Sequence, residues 1–200
     1  MRLYMQFGPQ EKCADCNETE PAMTIRTKRA PIDQLGMVTG DLDRAVKTWT
    51  EVFGVGPWQL YRNVVLDGVY LGQPVSVTID VALGYRGREQ IEFIEVQSTG
   101  PCPYLDAQGH AMAGLHHVAW IVDDLDGEAR ELEASGLVPV FVASNPAVRV
   151  IYFTDPAQPG ILFELITGAG SRAQHDAGVA QAAAWDGSNL ITEFDFAQAE

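Results

Sequence analysis

The chain has 200 residues, of which 27 are acidic and 13 are Lys or Arg, so its net charge is −14 at pH 7. Hydrophobic residues make up 46% of it, enough for the interior of one ordinary domain or of two small halves that share a core. The excess of acidic residues argues against nucleic acid and anionic membrane as partners, because both need basic clusters. The sequence also lacks the apolar run of about 18 residues that would predict a membrane-spanning helix.

The first segment, residues 1–31, is polar and has little helical or strand periodicity, so we interpret it as a leader. Cys13 and Cys16 form a C-x-x-C pair, which is half of a zinc site or a redox pair. Because no second pair or nearby histidine completes a zinc site, we assign the pair no function. The missing apolar signal-peptide stretch and the odd, sparse set of three cysteines favour a cytoplasmic protein.

Residues 32–97 are predicted to form a first strand–helix–three-strand module. A strand at 32–39 precedes a helix at 42–54, whose apolar residues recur at the spacing of one helical face. Asp41 is expected to cap the start of this helix and Gly54 to end it. The three strands that follow are predicted at 58–64, 75–83 and 90–97.

A second module at 114–167 repeats this order after a linker at 98–113. Its strands and helix are predicted at 115–122, 125–136 (the helix), 138–144, 148–156 and 161–167. The closing strands match, since IEFI at 91–94 lies over FELI at 163–166. Duplication explains this agreement better than coincidence does.

The C-terminal tail, residues 168–200, is rich in Ala and Gly. A short helix is predicted at 177–185, and we expect the tail to fold back over the core because Val179 and Trp185 need cover. His175 is expected to be exposed.

Alternation along the strands brings four polar side chains toward one point. Residues two apart share a face of a strand, so Gln34 and His117 occupy equivalent places in a cavity wall, as do Glu92 and Glu164 in the closing strands. One imidazole and three oxygen donors suit a borderline or hard divalent ion. The alternative is that these are hydrogen-bonded structural residues, but buried carboxylates cost several kcal/mol unless they are paired or metal-bound. His116 falls on the helix-facing side and is interpreted as structural.

The strand VSVTIDVAL adds further candidates. Its alternate residues Ser76, Thr78 and Asp80 form a polar face that we expect to line the same cavity, with Asp80 as a substrate contact or base. The alternative for Asp80 is a solvated strand edge. Trp58, Ser76 and Thr78 are assigned to substrate binding.

The duplicated modules resemble the vicinal oxygen chelate superfamily over about residues 32–167. AGLHHVAWIVDDLD at 113–126 and GILFELIT at 160–167 are most similar to methylmalonyl-CoA epimerase. The resemblance implies an α+β fold in which two tandem βαβββ modules form a cupped mixed β-sheet with the helices outside.

The resemblance also implies a ligand set. The implied ligands are Gln34, Glu92, His117 and Glu164. This set is similar to that of a form of glyoxalase I, whereas the epimerase pattern usually has His in the first place and Gln in the second. The Arg and Asn with which glyoxalase I binds glutathione are replaced by Val38 and Val96, so we expect no dependence on glutathione.

Two hypotheses about function follow from the resemblance. The first is a metal-dependent lyase, isomerase or epimerase that abstracts a proton next to a carbonyl through a metal-stabilised enediolate, with Glu164 or Glu92 moving the proton. Its cofactor would be one divalent ion of Ni, Co, Mn, Mg or Zn, its ligand a small molecule, and its assembly a possible homodimer. The second is a non-catalytic protein of the resistance type that sequesters a small molecule.

Overall fold

The computed structural model describes residues 29–198, so Cys13 and Cys16 lie outside the described residues. Its elements are, in chain order, β1 (Gln34–Val38), α1 (Leu42–Phe53), β2 (Trp58–Tyr70), β3 (Gln73–Arg86), β4 (Glu89–Val96), β5 (Gly114–Ile121), α2 (Leu125–Ala134), β6 (Val138–Ser144), β7 (Arg149–Thr154), β8 (Leu162–Thr167), α3 (Ser171–Ala184), β9 (Ile191–Asp195) and a final 3₁₀ turn (Phe196–Gln198). No helix within 29–198 is both long enough and apolar enough to cross a membrane.

Both module helices begin where the sequence predicts. The Asp41 carboxylate accepts a hydrogen bond from the Arg44 amide at 2.9 Å at the start of α1, and Asp124 does the same for the Gly127 amide in α2. Gly54 ends α1 in the left-handed conformation with φ 65°, which a residue without a side chain adopts without strain. The predicted N-cap and C-cap of α1 are confirmed.

Eight strands close into a barrel-like cup. Hydrogen bonding connects them in the order β3-β4-β1-β5-β8-β7-β6-β2, and β2 pairs back with β3. The two modules meet where β1 and β5 run antiparallel, while β1 pairs β4 and β5 pairs β8 in parallel. This is the predicted α+β fold with a cupped mixed sheet, and the prediction is confirmed.

Apolar side chains divide into one layer inside the barrel and two layers under the module helices. Val38, Ile79 and Ile94 belong to the inner layer. Leu42 and Val46 of α1 pack outside the sheet, and Leu125 and Ala129 of α2 do so on the other module. Burial of these apolar faces is what holds the helices on the outside of the cup.

The secondary structure of the tail differs from the prediction. The helix α3 begins six residues earlier than expected, and β9 adds a parallel strand to β2. His175, expected to be exposed, is 2% exposed, because α3 lies against β3 and β4. There the His175 ring contacts Tyr85 edge-on, and its Nε2 lies 3.3 Å from the carbonyl oxygen of Asp33.

Candidate metal site and cavity

Three side chains converge at the centre of the barrel. The Nε2 atom of His117 lies 3.1 Å from an oxygen of Glu92 and 3.0 Å from an oxygen of Glu164. One potential ligand atom of each residue lies within 4.8 Å of the other two. His117 is fully buried, Glu164 is 3% exposed, and Glu92 is partly buried. The sequence predicted that all three would meet.

Sheet register explains why these residues meet. Gly36 of β1 pairs with Glu92 on one side and with His117 on the other, and Ala119 of β5 pairs with Glu164. The imidazole lies directly over Gly36, where an added Cβ would come within 1.9 Å of the His117 ring. The small residue at this position therefore makes room for the imidazole.

A methyl group at position 36 should displace the imidazole. We expect Gly36→Ala to lower the free energy of unfolding by about 1–3 kcal/mol, the usual cost of overpacking, and to weaken binding of a divalent ion. Chemical denaturation and metal titration measure the two effects. Gly40→Ala is the matched control, since nothing lies within 4 Å of its added Cβ. Equal metal affinity in the two variants would contradict the account.

Gln34 lies at the edge of the group. Its Oε1 is 3.4 Å from His117 Nε2, and its Nε2 donates to Gln90 Oε1 at 2.9 Å. The Gln90 amide in turn donates to the Tyr85 hydroxyl at 2.5 Å. This chain of donors directs the Gln34 oxygen toward the other three side chains. Gln90 was not predicted, and the signal that could have indicated it is a polar residue that pairs with Gln34 across β1 and β4.

A β-bulge in β5 places the His116 ring inside the barrel, beside the ring of His117. Gly36 pairs with His117 but Met37 pairs with Leu115, so His116 is an extra residue in β5. Its ring packs against Tyr104 and Tyr152 inside the barrel. The expectation that His116 faces the helix is wrong, because the bulge interrupts the alternation of side chains.

His116 determines which nitrogen of neutral His117 carries the proton. Its Nε2 lies 2.8 Å from the Pro103 carbonyl oxygen, which can only accept, so Nε2 carries the proton. Burial, followed by the charge of His117, lowers the pKa of His116 to about 4, so its Nδ1 is an acceptor at neutral pH. This Nδ1 lies 3.1 Å from Nδ1 of His117, which must therefore be the donor. The lone pair of neutral His117 is then on Nε2, toward Glu92 and Glu164.

The charges of the three converging residues are coupled. Burial opposes a charged imidazole, but the carboxylates of Glu164 and Glu92 outweigh burial and raise the pKa of His117 to about 10. Burial also raises the pKa of Glu164, and the charge of His117 counteracts this effect. Without metal, a protonated His117 thus balances part of the carboxylate charge.

The residues fit a divalent ion. Glu164 Oε2 is buried and receives no hydrogen bond of good geometry, although His117 Nε2 lies 3.0 Å away. A divalent ion among these atoms would satisfy that oxygen and offset the cost of burying two carboxylates. One nitrogen and two or three oxygens suit borderline and hard ions, and they do not identify a single metal.

The metal-free protein should lose stability as the pH rises. His117 has a raised pKa in the folded state, so its stabilising charge is fully present below about pH 6.5 and disappears as the pH approaches 10. The raised pKa of Glu164 acts in the same direction at lower pH. Calorimetry in the presence of a chelator should show a Tm that decreases as the pH is raised from about 6.5 to about 10. His117→Gln should flatten the dependence, and a Tm that rises over this range would contradict it.

A cavity of about 560 Å³ opens above the site. Gln34, Glu92 and Glu164 form its polar base. Its walls are largely aliphatic, from β2, β3, β7 and β8, and include Leu66, Ile79, Val81, Val150 and Ile166. The volume lies in the range of small-molecule sites.

The expected polar wall from β3 is not there. The alternate residues Val77, Ile79 and Val81 face the barrel interior, so Ser76 and Thr78 lie on the opposite face, outside the cavity lining. The assignment of this face to the cavity is wrong, because the interior of a closed barrel buries the more apolar of two alternating faces.

Asp80 and Trp58 also lie outside the cavity lining. The Asp80 carboxylate accepts from the Asn63 amide at 2.8 Å and lies 3.4 Å from Arg62, which makes it a structural anchor for β2. Trp58 is 1% exposed under α1, and its indole N–H donates to Thr50 at 2.9 Å. The positions of these side chains contradict the predicted contacts with substrate.

Comparison with known proteins gives a family and a set of similar folds. Residues 33–153 match the Glyoxalase/Bleomycin resistance protein/Dioxygenase superfamily. Methylmalonyl-CoA epimerase from Mycobacterium tuberculosis is 22% identical, with a TM-score of 0.48 over 72% of this chain and 91% of its own. A hypothetical protein from Bacillus halodurans C-125 is 16% identical, with a TM-score of 0.46 over 69% and 94%. Streptomyces coelicolor methylmalonyl-CoA epimerase in complex with 2-nitronate-propionyl-CoA is 20% identical, with a TM-score of 0.44 over 69% and 96%. No curated protein matches this chain.

Proposed function

Because the chain belongs to the Glyoxalase/Bleomycin resistance protein/Dioxygenase superfamily, we propose that it is a metal-dependent lyase, isomerase or epimerase that abstracts a proton next to a carbonyl group. The observation that carries the proposal is the buried group of Glu92, His117 and Glu164 at the base of a cavity of about 560 Å³. Apolar residues would pack the barrel better at this position than two carboxylates and an imidazole do, so packing does not explain the group.

Glu92, His117 and Glu164 would hold the ion, and the amide oxygen of Gln34 would be the fourth protein ligand. A divalent ion bound there would polarise a carbonyl group and stabilise the negative charge that develops on its oxygen. The His116 imidazole accepts from Nδ1 of neutral His117, so the lone pair of His117 lies on Nε2, on the side of Glu92 and Glu164. Gln90 orients the amide of Gln34 in the same way.

Glu164 is the proposed base. Its Oε2 atom is buried and makes no hydrogen bond of good geometry, and burial raises the pKa of the carboxyl group, so it binds a proton more readily than an exposed glutamate does. The aliphatic walls keep water away from a carbanion formed beside it. The substrate class is a 2-oxo or 2-hydroxy carbonyl compound or a 2-substituted acyl thioester.

Glutathione has no visible counterpart in the site. Val38 is buried in the inner layer of the barrel, and Val96 packs against that layer, so neither position supplies a charged or amide group. We therefore expect the reaction to proceed without glutathione.

Hydrogen exchange in heavy water tests the proposal. The metal-reconstituted protein should wash deuterium into the α position of a compound from this class, detected by NMR, and the chelator-treated protein should not. Binding of such compounds without exchange of any of them would overturn the enzyme proposal in favour of a sequestering protein.

A further inference from the structure

The C-terminal tail contributes one side of the cavity. Ser171, Gln174, Gly178 and Gln181 of α3 lie at its wall, and Phe194 and Phe196 lie at the end of the tail. The family match ends at residue 153, so this side of the cavity lies outside the matched region. The tail therefore gives the cavity a surface that the two modules do not supply.

An aromatic stack forms where the tail meets β2. The ring of Phe194 lies nearly parallel to that of Tyr61, with centroids 5.2 Å apart and an interplanar angle of 15°. Phe196, two residues on, stacks on the same ring at 6.3 Å and 22°. All three rings line the cavity, yet Phe194 is 44% exposed and Phe196 53% exposed. The stack thus presents uncovered apolar surface to whatever enters the cavity.

An ion pair and a hydrogen bond connect β9 to β2 without involving this stack. Arg62 of β2 binds Glu193 at 2.7 Å, and the Asn63 side chain donates to Asp195 at 2.8 Å. Glu193 and Asp195 alternate with Phe194 and Phe196, so the polar contacts lie on one face of the segment and the phenyl rings on the other. The orientation of the two rings toward the cavity is therefore fixed by β2.

The cavity has no cationic lining. Among the residues of 29–198 that line it, none is Lys or Arg, and the charged ones are Glu92 and Glu164. The one arginine of α3, Arg172, is bound in a two-point ion pair to Asp33, at 2.6 and 2.8 Å. A ligand with phosphate groups would find no cation on these walls to balance its charge.

We propose that the tail is the ligand-recognition element of this cavity, and that Tyr61, Phe194 and Phe196 select an uncharged ligand with an aromatic or extended apolar body. This names the substrate class of the proposed enzyme. The proposal rests on the proposed function for one part of the ligand, the end whose oxygens react at the metal site. The recognition of the apolar body does not depend on it. The proposal predicts that coenzyme A thioesters, with their phosphate groups, do not bind in this cavity.

The first arm of the test uses a neutral aromatic probe and needs no metal. N-phenyl-1-naphthylamine should bind the chelator-treated full-length protein with a rise in fluorescence. The double variant Phe194→Ala/Phe196→Ala should bind it about tenfold more weakly, because two aromatic contacts are lost. Phe53→Ala is the matched control, since Phe53 is also 53% exposed but lies outside the cavity lining, and it should bind the probe as the unchanged protein does.

A second variant covers the case in which the double variant fails to fold. Gln181→Trp places an indole on the cavity side of α3 without altering β9, and it should also weaken the probe by obstructing the mouth. Coenzyme A should not displace the probe. If the protein bound the probe as expected but bound no divalent ion, the proposed function would be overturned and the assignment of the tail would stand. Unchanged probe affinity in the phenylalanine and Gln181 variants, or displacement by coenzyme A, would overturn the assignment of the tail.

Discussion

Glu164→Gln is expected to lower the rate of α-hydrogen exchange in heavy water by about two to four orders of magnitude, the usual contribution of a positioned general base. An amide has nearly the shape of a carboxylate and can still offer an oxygen to an ion, but it cannot accept the proton. The variant should therefore retain bound metal while losing exchange. NMR measurement of deuterium incorporation, with metal content determined on the same sample, separates the two effects.

The control for this variant is an exposed glutamate. Glu51 on α1 has a side chain that is 61% exposed and pairs with Lys47 on the surface, so Glu51→Gln should leave the exchange rate unchanged. Glu92→Gln distinguishes the two candidate bases. If Glu92→Gln abolished exchange while Glu164→Gln retained it, the base would be Glu92 and the assignment of Glu164 would be wrong.

His117→Ala is expected to abolish metal-dependent stabilisation. An ion that binds only the folded protein stabilises it by about 2.7 kcal/mol when its free concentration is 100 times Kd. Removal of the one imidazole of the group should eliminate this gain, which thermal unfolding with and without the ion measures. A stabilisation that survived in this variant would show that the ion binds elsewhere.

Two other buried histidines serve as controls. His175→Ala removes a buried imidazole that contacts Asp33 and Tyr85 and is not one of the converging ligands, so it should leave the metal-dependent shift intact. His116→Ala should reduce the shift without abolishing it, because metal affinity usually weakens about 10- to 100-fold when the hydrogen-bond partner of a ligand is lost. Abolition of the shift in all three variants would point to general unfolding.

The site could be predicted because its residues follow rules that operate within a single strand. Alternation places Gln34 and Gly36 on one face of β1, and the duplicated pattern relates Glu92 to Glu164. Parallel pairing of β1 with β4 and of β5 with β8 then brings the three ligands together. The match to the superfamily over 33–153 confirms the resemblance that these residues suggested.

The errors arose where long-range packing decides the outcome. Alternation shows that Ser76, Thr78 and Asp80 share a face of β3, but the closure of the barrel determines which face is inside. The bulge at His116 depends on the pairing of β5 with β1 and leaves no local signal. The burial of His175 depends on where α3 docks, which an Ala-rich pattern with weak amphipathicity does not specify.

Anomalous X-ray scattering tests the central claim most directly. Crystals grown with Co²⁺ and measured on both sides of the cobalt absorption edge would locate any bound ion without relying on activity. We expect one anomalous peak per chain, at about 2.0–2.5 Å from His117 Nε2 and from carboxylate oxygens of Glu92 and Glu164. The absence of a peak at this position, with His117 still in contact with both carboxylates, would contradict it.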